Sequence, residues 1–127
     1  MKEIKVLMVD DEEVFAKTVA ERMRMREVNS EVVLNGEQAL EFLEGRTPDV
    51  MVLDLKMPGI EGMEVLRRVR ETYPQVQVII LTGHGSEKDE AEARRLGAVD
   101  YLKKPVAIET LMAAVKNAYK KEIQNIR

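Results

Sequence analysis

Five side chains in this sequence have the types and the spacing for phosphoryl chemistry: Asp10, Asp11, Asp54, Thr82 and Lys104. Each follows a short apolar run that reads as a β-strand. If those strands lie parallel in one sheet, all five groups meet at one edge, where open α/β sheets bind their ligands. Three carboxylates a few ångström apart repel and raise one another's pKa. A hard divalent cation removes that cost, and Mg²⁺ (or Mn²⁺) takes one or two carboxylates together with water and phosphate oxygens. The lysine adds a further positive charge. With metal bound, Asp54 stays ionised and can attack an electrophilic phosphorus to give an acyl phosphate. Thr82 can donate to a phosphoryl oxygen while the Lys104 ammonium balances the new charge. Alone, Asp54 would read as an ordinary loop cap; its company makes it a nucleophile.

The elements that must position these groups alternate strictly. Residues 4–9 form the first expected strand, ending in the four acids 10–13, which also suit the N-terminus of the following helix. That helix carries Phe15, Val19 and Met23 at spacing four. A short strand over 31–34, a turn at Asn35-Gly36 and a helix over 37–44 with Leu40 and Leu43 inward come next. Residues 50–53, bounded by Pro48 and Pro58-Gly59, are an unbroken apolar run, as in a strand covered on both faces. A helix over 60–73 turns Met63, Leu66, Val69 and Tyr73 inward. A strand over 76–81, a helix from the N-cap Ser86 to Leu96, a strand over 99–103 and a helix from about 108 complete the pattern. Seven of the twelve residues from 86 to 97 are charged, so that fourth helix is weakly anchored. Five strand-helix units imply one doubly wound α/β domain. Its expected form is a flavodoxin-like five-stranded parallel sheet of order 2-1-3-4-5 with five helices.

Composition narrows the function classes. The 127 residues suit one domain; 45% are hydrophobic and 34% charged, a globular balance. A net charge of -3 gives no electrostatic reason to expect nucleic acid or an anionic membrane. The absence of cysteine excludes disulfides and thiolate metal sites. No apolar run approaches the ~20 residues of a membrane span, and the N-terminus does not read as a signal peptide. The expectation is a cytoplasmic protein.

Asp10-Asp11, Asp54 in Asp-x-x-Met-Pro-Gly, Thr82-Gly83 and Lys104-Pro105 together resemble the receiver domains of bacterial two-component response regulators. The resemblance runs from residue 4 to about 120, within a single domain spanning 1–127 whose last helix extends to about 126. It implies that Asp54 accepts a phosphoryl group from a histidine kinase or phosphotransfer protein. It implies Asp11 as direct Mg²⁺ ligand, Asp10 as a ligand acting mostly through water, and the backbone carbonyl of Lys56 as a third protein ligand beside Asp54. Thr82 and Lys104 correspond to the pair that contacts the phosphoryl group. Tyr101 corresponds to the aromatic that swings inward when Thr82 is recruited, and the Lys104-Pro105 bond to one usually cis. The implied role is a switch that catalyses only its own phosphorylation and dephosphorylation.

Several residues admit plainer readings. Lys103 points away from Lys104 by strand alternation and is a solvated lysine. His84 lies two residues past Thr82, within reach of a phosphoryl group or a hydrolytic water, yet an exposed loop histidine is the simpler reading. Lys56, Gly83 and His84 together could tune the lifetime of a phosphorylated state. The apolar stripe of the last helix continues through Ile123 and Ile126, which suggests that the face of helix 4, strand 5 and helix 5 meets an output partner or a second copy. A rival reading, a haloacid-dehalogenase-type phosphatase, needs a second aspartate where Lys56 stands. A nucleotide-binding domain needs a Gly-rich loop where the acids at 10–13 stand.

Overall fold

The computed structural model of the protein describes residues 3–126, with side chains described through residue 123. Five strands and five helices alternate: β1 Lys5–Val9, α1 Glu13–Arg24, β2 Asn29–Val33, α2 Gly36–Gly45, β3 Val50–Leu53, α3 Gly62–Thr72, β4 Gln77–Thr82, α4 Glu87–Arg95, β5 Asp100–Lys103 and α5 Ile108–Ile126. All strands pair in parallel, in the order β2-β1-β3-β4-β5 expected from the sequence.

Strand alternation divides the core into two layers. Leu7, Val9, Met51, Leu53, Val78 and Ile80 face one side, where Leu43 of α2, Leu66 and Val69 of α3 and Ala93 of α4 cover them. Val6, Met8, Val50, Val52, Ile79 and Leu81 face the other, beneath Ala16, Ala20 and Met23 of α1 and Leu111 and Val115 of α5. The central strands β3 and β4 are buried at every residue, which is why they read as unbroken apolar runs.

Helix ends follow local chemistry. Asn35 is the N-cap of α2, its side chain accepting the Gln38 N–H at 2.8 Å while Gln38 accepts from Leu34 N–H at 2.9 Å. Ser86 and Asp89 form a reciprocal capping box at the start of α4. Gly97, at φ +107°, ends that helix in a conformation other residues rarely adopt. Among its own residues α4 buries only Ala93. In α5, Ile123 is 39% exposed; the side chain of Ile126 lies outside the described residues. Among the described residues, no helix is long and apolar enough to cross a membrane.

Candidate functional site

Register brings the site together. Val9 pairs with Leu53, and Asp54 N–H donates to Val9 O at 3.0 Å, so Asp10 and Asp54 leave neighbouring strands side by side. Thr82 pairs with Lys103, and Lys104 N–H donates to Thr82 O at 3.0 Å. The first turn of α3 closes the site from behind. Gly62 N–H donates to Leu55 O at 2.9 Å, and a Cβ on Gly62 would overlap the carbonyl oxygen of Asp54 and lie 2.6 Å from Leu55 Cα. Only glycine lets the helix sit this close to the backbone of Asp54.

Three of the expected groups sit deep: Asp10 is 1% exposed, Asp54 2% and Thr82 fully buried. Lys104 links the acids. Its Nζ lies 2.7 Å from Asp10 Oδ2, 2.7 Å from Glu12 Oε1 and 3.2 Å from Asp54 Oδ2, and 4.5 Å from the centroid of the Phe15 ring. The ring face supports the ammonium through a cation–π contact. Asp10 Oδ1 also accepts Glu12 N–H at 2.9 Å. Thr82 Oγ1 accepts His84 N–H at 3.2 Å, and Asp54 Oδ1 accepts Lys56 N–H at a longer 3.4 Å.

These contacts shape the ionisation of the pair. Burial drives the Asp10 pKa above the usual aspartate value, although the hydrogen bond and charge of Lys104 act against it. Burial also disfavours the charged form of Lys104. Its hydrogen bonds to Asp10 and Glu12, with the charges of Asp10 and Asp54, outweigh that effect and hold its pKa well above the ordinary lysine range.

The convergent acids are not the three named from the sequence. One carboxylate oxygen each from Asp10, Glu12 and Asp54 lies within 4.8 Å of the others, whereas Asp11 is exposed and outside that group. The chain bends at Asp11 after β1, and the Asp10 carboxylate accepts Glu12 N–H across that bend, which keeps residues 10 and 12 together while Asp11 stays exposed. The four-acid run concealed Glu12 as dipole compensation, and Phe15 read only as a core residue. The set of oxygen donors fits a hard divalent cation, which prefers carboxylates over nitrogen or sulfur ligands. Of the remaining expected residues, Tyr101 is buried, and Lys56, Gly83, His84 and Lys103 are exposed. The Lys104-Pro105 bond is cis.

Comparison with known proteins gives a consistent result. The family model of the response regulator receiver domain matches residues 6–116. The luminescence regulatory protein LuxO of Vibrio campbellii is 39% identical over 94 residues, covering 74% of this chain and 21% of that protein. A putative NtrX-like response regulator of Rickettsia felis is 33% identical over 120 residues, covering 93% of this chain and 25% of its own length. The chain thus spans a quarter or less of these two curated relatives. The crystal structure of the signal receiver domain of a putative LuxO repressor protein from Vibrio parahaemolyticus superposes with a TM-score of 0.91 at 28% identity, covering 98% of this chain and 95% of that one.

Proposed function

The chain belongs to the response regulator receiver domain family, and from that premise we propose that Asp54 is its phosphoacceptor. The donor is a histidine kinase or a phosphotransfer protein. An Asp54 carboxylate oxygen attacks the phosphorus, the N–P bond to the donor imidazole breaks, and its electron pair stays on the nitrogen, which takes up a proton. The product is an aspartyl phosphate. Hydrolysis reverses the state: water attacks the phosphorus, the P–O bond to Asp54 breaks and the carboxylate returns.

The observation that carries this reading is the ammonium of Lys104 held within 3.2 Å of a buried Asp54. Lys104 balances charge on the incoming phosphoryl group, and Thr82 supplies a hydroxyl at the end of the adjacent strand. Mg²⁺ or Mn²⁺, when bound, supplies neutralisation of the carboxylate and phosphoryl charges. Its holders would be Asp10, Asp54 and the Lys56 carbonyl with Asp11 as the family resemblance implies, or with Glu12 as the convergent carboxylates suggest. The haloacid-dehalogenase alternative finds no support in the comparisons, and Lys56 occupies the position of the aspartate that such an enzyme requires.

In this reading residues 1–127 are a single receiver domain acting in the cytoplasm as a switch rather than as an enzyme with a separate substrate. Its output passes to a partner or a second copy through α4, β5 and α5, because weakly anchored elements are the ones that move. Incubation with acetyl phosphate and Mg²⁺ should add one phosphoryl group by mass, labile to hydroxylamine, and Asp54→Asn should abolish it. Labelling of that variant at the wild-type rate would move the nucleophile elsewhere. Sedimentation velocity with and without beryllofluoride and Mg²⁺, on the intact chain and on one ending at Lys120, tests the output face.

A further inference from the structure

The first turn of α1 aims two side chains at Lys104. Glu12 is the N-cap of that helix, yet its carboxylate makes no capping hydrogen bond; it lies 2.7 Å from the Lys104 ammonium instead. Phe15, three residues further along, sets its ring centroid 4.5 Å from Nζ. The ring is partly buried and packs against the core layer beneath α1 and α5. Lys104 therefore meets two kinds of neighbour. The first kind is the carboxylates of Asp10, Glu12 and Asp54. One oxygen of each lies within 4.8 Å of the others, a set that a hard divalent cation would take. Cation and ammonium thus compete for the same groups. The second kind is the ring face, which attracts an ammonium through its quadrupole and offers no oxygen to a hard cation. The Lys104 side chain is 12% exposed, and a cation–π contact is strongest where water is excluded.

We infer that Phe15 is a positioning residue for Lys104: its ring face keeps the ammonium beside Asp54 when the carboxylates turn to a divalent cation. The inference rests on the receiver reading and adds a residue to it. Without the ring, a lysine whose carboxylates are occupied by metal is left with water and a flexible four-carbon stem, and its ammonium spends less time where the phosphoryl group arrives. The ring holds that position at no electrostatic cost. Being neutral, it leaves the positive charge of Lys104 whole for the phosphoryl oxygens. Its loss should therefore slow phosphoryl acceptance and leave the affinity for metal alone. Leucine at position 15 fills much of the same apolar space and has no ring face.

The test uses the full chain with lysine ¹³C-labelled at Cε, the Lys104 signal being identified by its loss in Lys104→Arg. Protons held over an aromatic face resonate upfield. The wild-type Lys104 ε-methylene should lie upfield of the other lysines without metal, and should stay there with Mg²⁺ and beryllofluoride. Phe15→Leu should return it to the ordinary lysine position, and Phe15→Tyr should keep it upfield. With acetyl phosphate as donor, Phe15→Leu should lower the maximal rate of acceptance about fivefold, equivalent to ~1 kcal/mol. The half-saturating Mg²⁺ concentration should change less than about twofold, and Phe15→Tyr should restore the rate. A wild-type Lys104 signal that moves to the ordinary position once Mg²⁺ is added would overturn the inference. So would equal losses in Phe15→Leu and Phe15→Tyr, which would reduce the residue to packing. A Phe15→Leu defect that vanishes at high Mg²⁺ would overturn it too, by placing the effect on the metal. Each of those outcomes leaves wild-type labelling of Asp54 intact; a wild-type chain that takes no phosphoryl group on Asp54 ends the receiver reading, and the inference with it.

Discussion

The two edges of the sheet both bury polar side chains, and they satisfy them in different ways. At the amino edge, the Asp49 carboxylate accepts Lys5 N–H at 2.8 Å, Ser30 donates to Val28 O at 3.3 Å and the Gln77 amide donates to Gln75 O at 3.3 Å. Each of these side chains finds a backbone group. At the carboxyl edge, buried Asp10 and Asp54, with the exposed Glu12, share the ammonium of Lys104. These groups hold more negative than positive charge, the imbalance that the proposed cation would offset. Buried polarity alone does not mark a site; buried charge left out of balance does.

The sharpest break of this contrast is Lys104→Ala. It leaves three clustered carboxylates with their shared cation removed, and losing one partner of a buried pair costs ~3 kcal/mol or more. Urea unfolding without metal should show that loss, and Mg²⁺ should restore part of it. At the amino edge, Asp49→Ala strands the Lys5 N–H and should cost ~1–2 kcal/mol. Mg²⁺ should recover none of it, and Asp54 should still accept phosphate. A metal effect on Asp49→Ala equal to that on Lys104→Ala would erase the distinction between the edges.

Next in size is Asp10→Asn. Because folding raises the Asp10 pKa from 3.8, the folded state binds the proton more tightly, and the Asp10 contribution to stability falls as pH rises through that raised value. Ionised Asp10 is therefore a cost at neutral pH. The asparagine keeps an acceptor for Glu12 N–H, and Lys104 keeps Glu12 and Asp54. Metal-free stability should rise by ~1 kcal/mol, a few degrees in Tm, while the stabilisation gained on adding Mg²⁺ shrinks. Lys104 has the opposite sign. Its pKa is raised from 10.5, so its stabilisation is complete below that value and is lost as pH climbs through the higher folded one.

The sequence exposed the fold wherever an element is apolar and hid it wherever an element is polar or borrowed. β3 falls on the expected residues 50–53 because it is covered on both faces. β2 begins at Asn29, two residues before the expected start, since an edge strand can carry Asn29 and Ser30 without an apolar signal. α3 begins at Gly62 rather than 60: Glu37 of α2 accepts Ile60 N–H at 3.1 Å and holds the preceding loop open. In α1 the fully buried residues are Ala16, Ala20 and Met23, because the helix packs close enough that alanine fills the gap. Phe15 and Val19 lie on its flank, where Phe15 reaches Lys104. Glu12 was hidden for a similar reason, as one acid among four until the direction of the chain separated 12 from 11.

The smallest expected effect concerns the rim of the charged edge. Lys56 and His84 are exposed, yet their backbone N–H groups lean on Asp54 Oδ1 and Thr82 Oγ1. If Asp54 carries a phosphoryl group as proposed, these two exposed residues flank the strand ends that bear it, and their bulk would hinder a hydrolytic water. At Gly83 there is open space: a Cβ there would meet nothing nearer than Lys104 Cβ at 3.8 Å and Cδ at 4.0 Å, ordinary contacts. Lys56→Ala and His84→Ala should each speed loss of the phosphoryl group about threefold, roughly 0.7 kcal/mol in barrier, and Gly83→Val should slow it by a similar factor. The rate of phosphate acceptance should hold in all three, because Lys56 meets Asp54 through a backbone N–H that alanine keeps, and a Cβ at residue 83 meets Lys104 only at ordinary contact distance. Release of inorganic phosphate from purified phosphoprotein measures this directly. Equal lifetimes across the three variants would make the rim solvated loop and confine the chemistry of this edge to its buried charges.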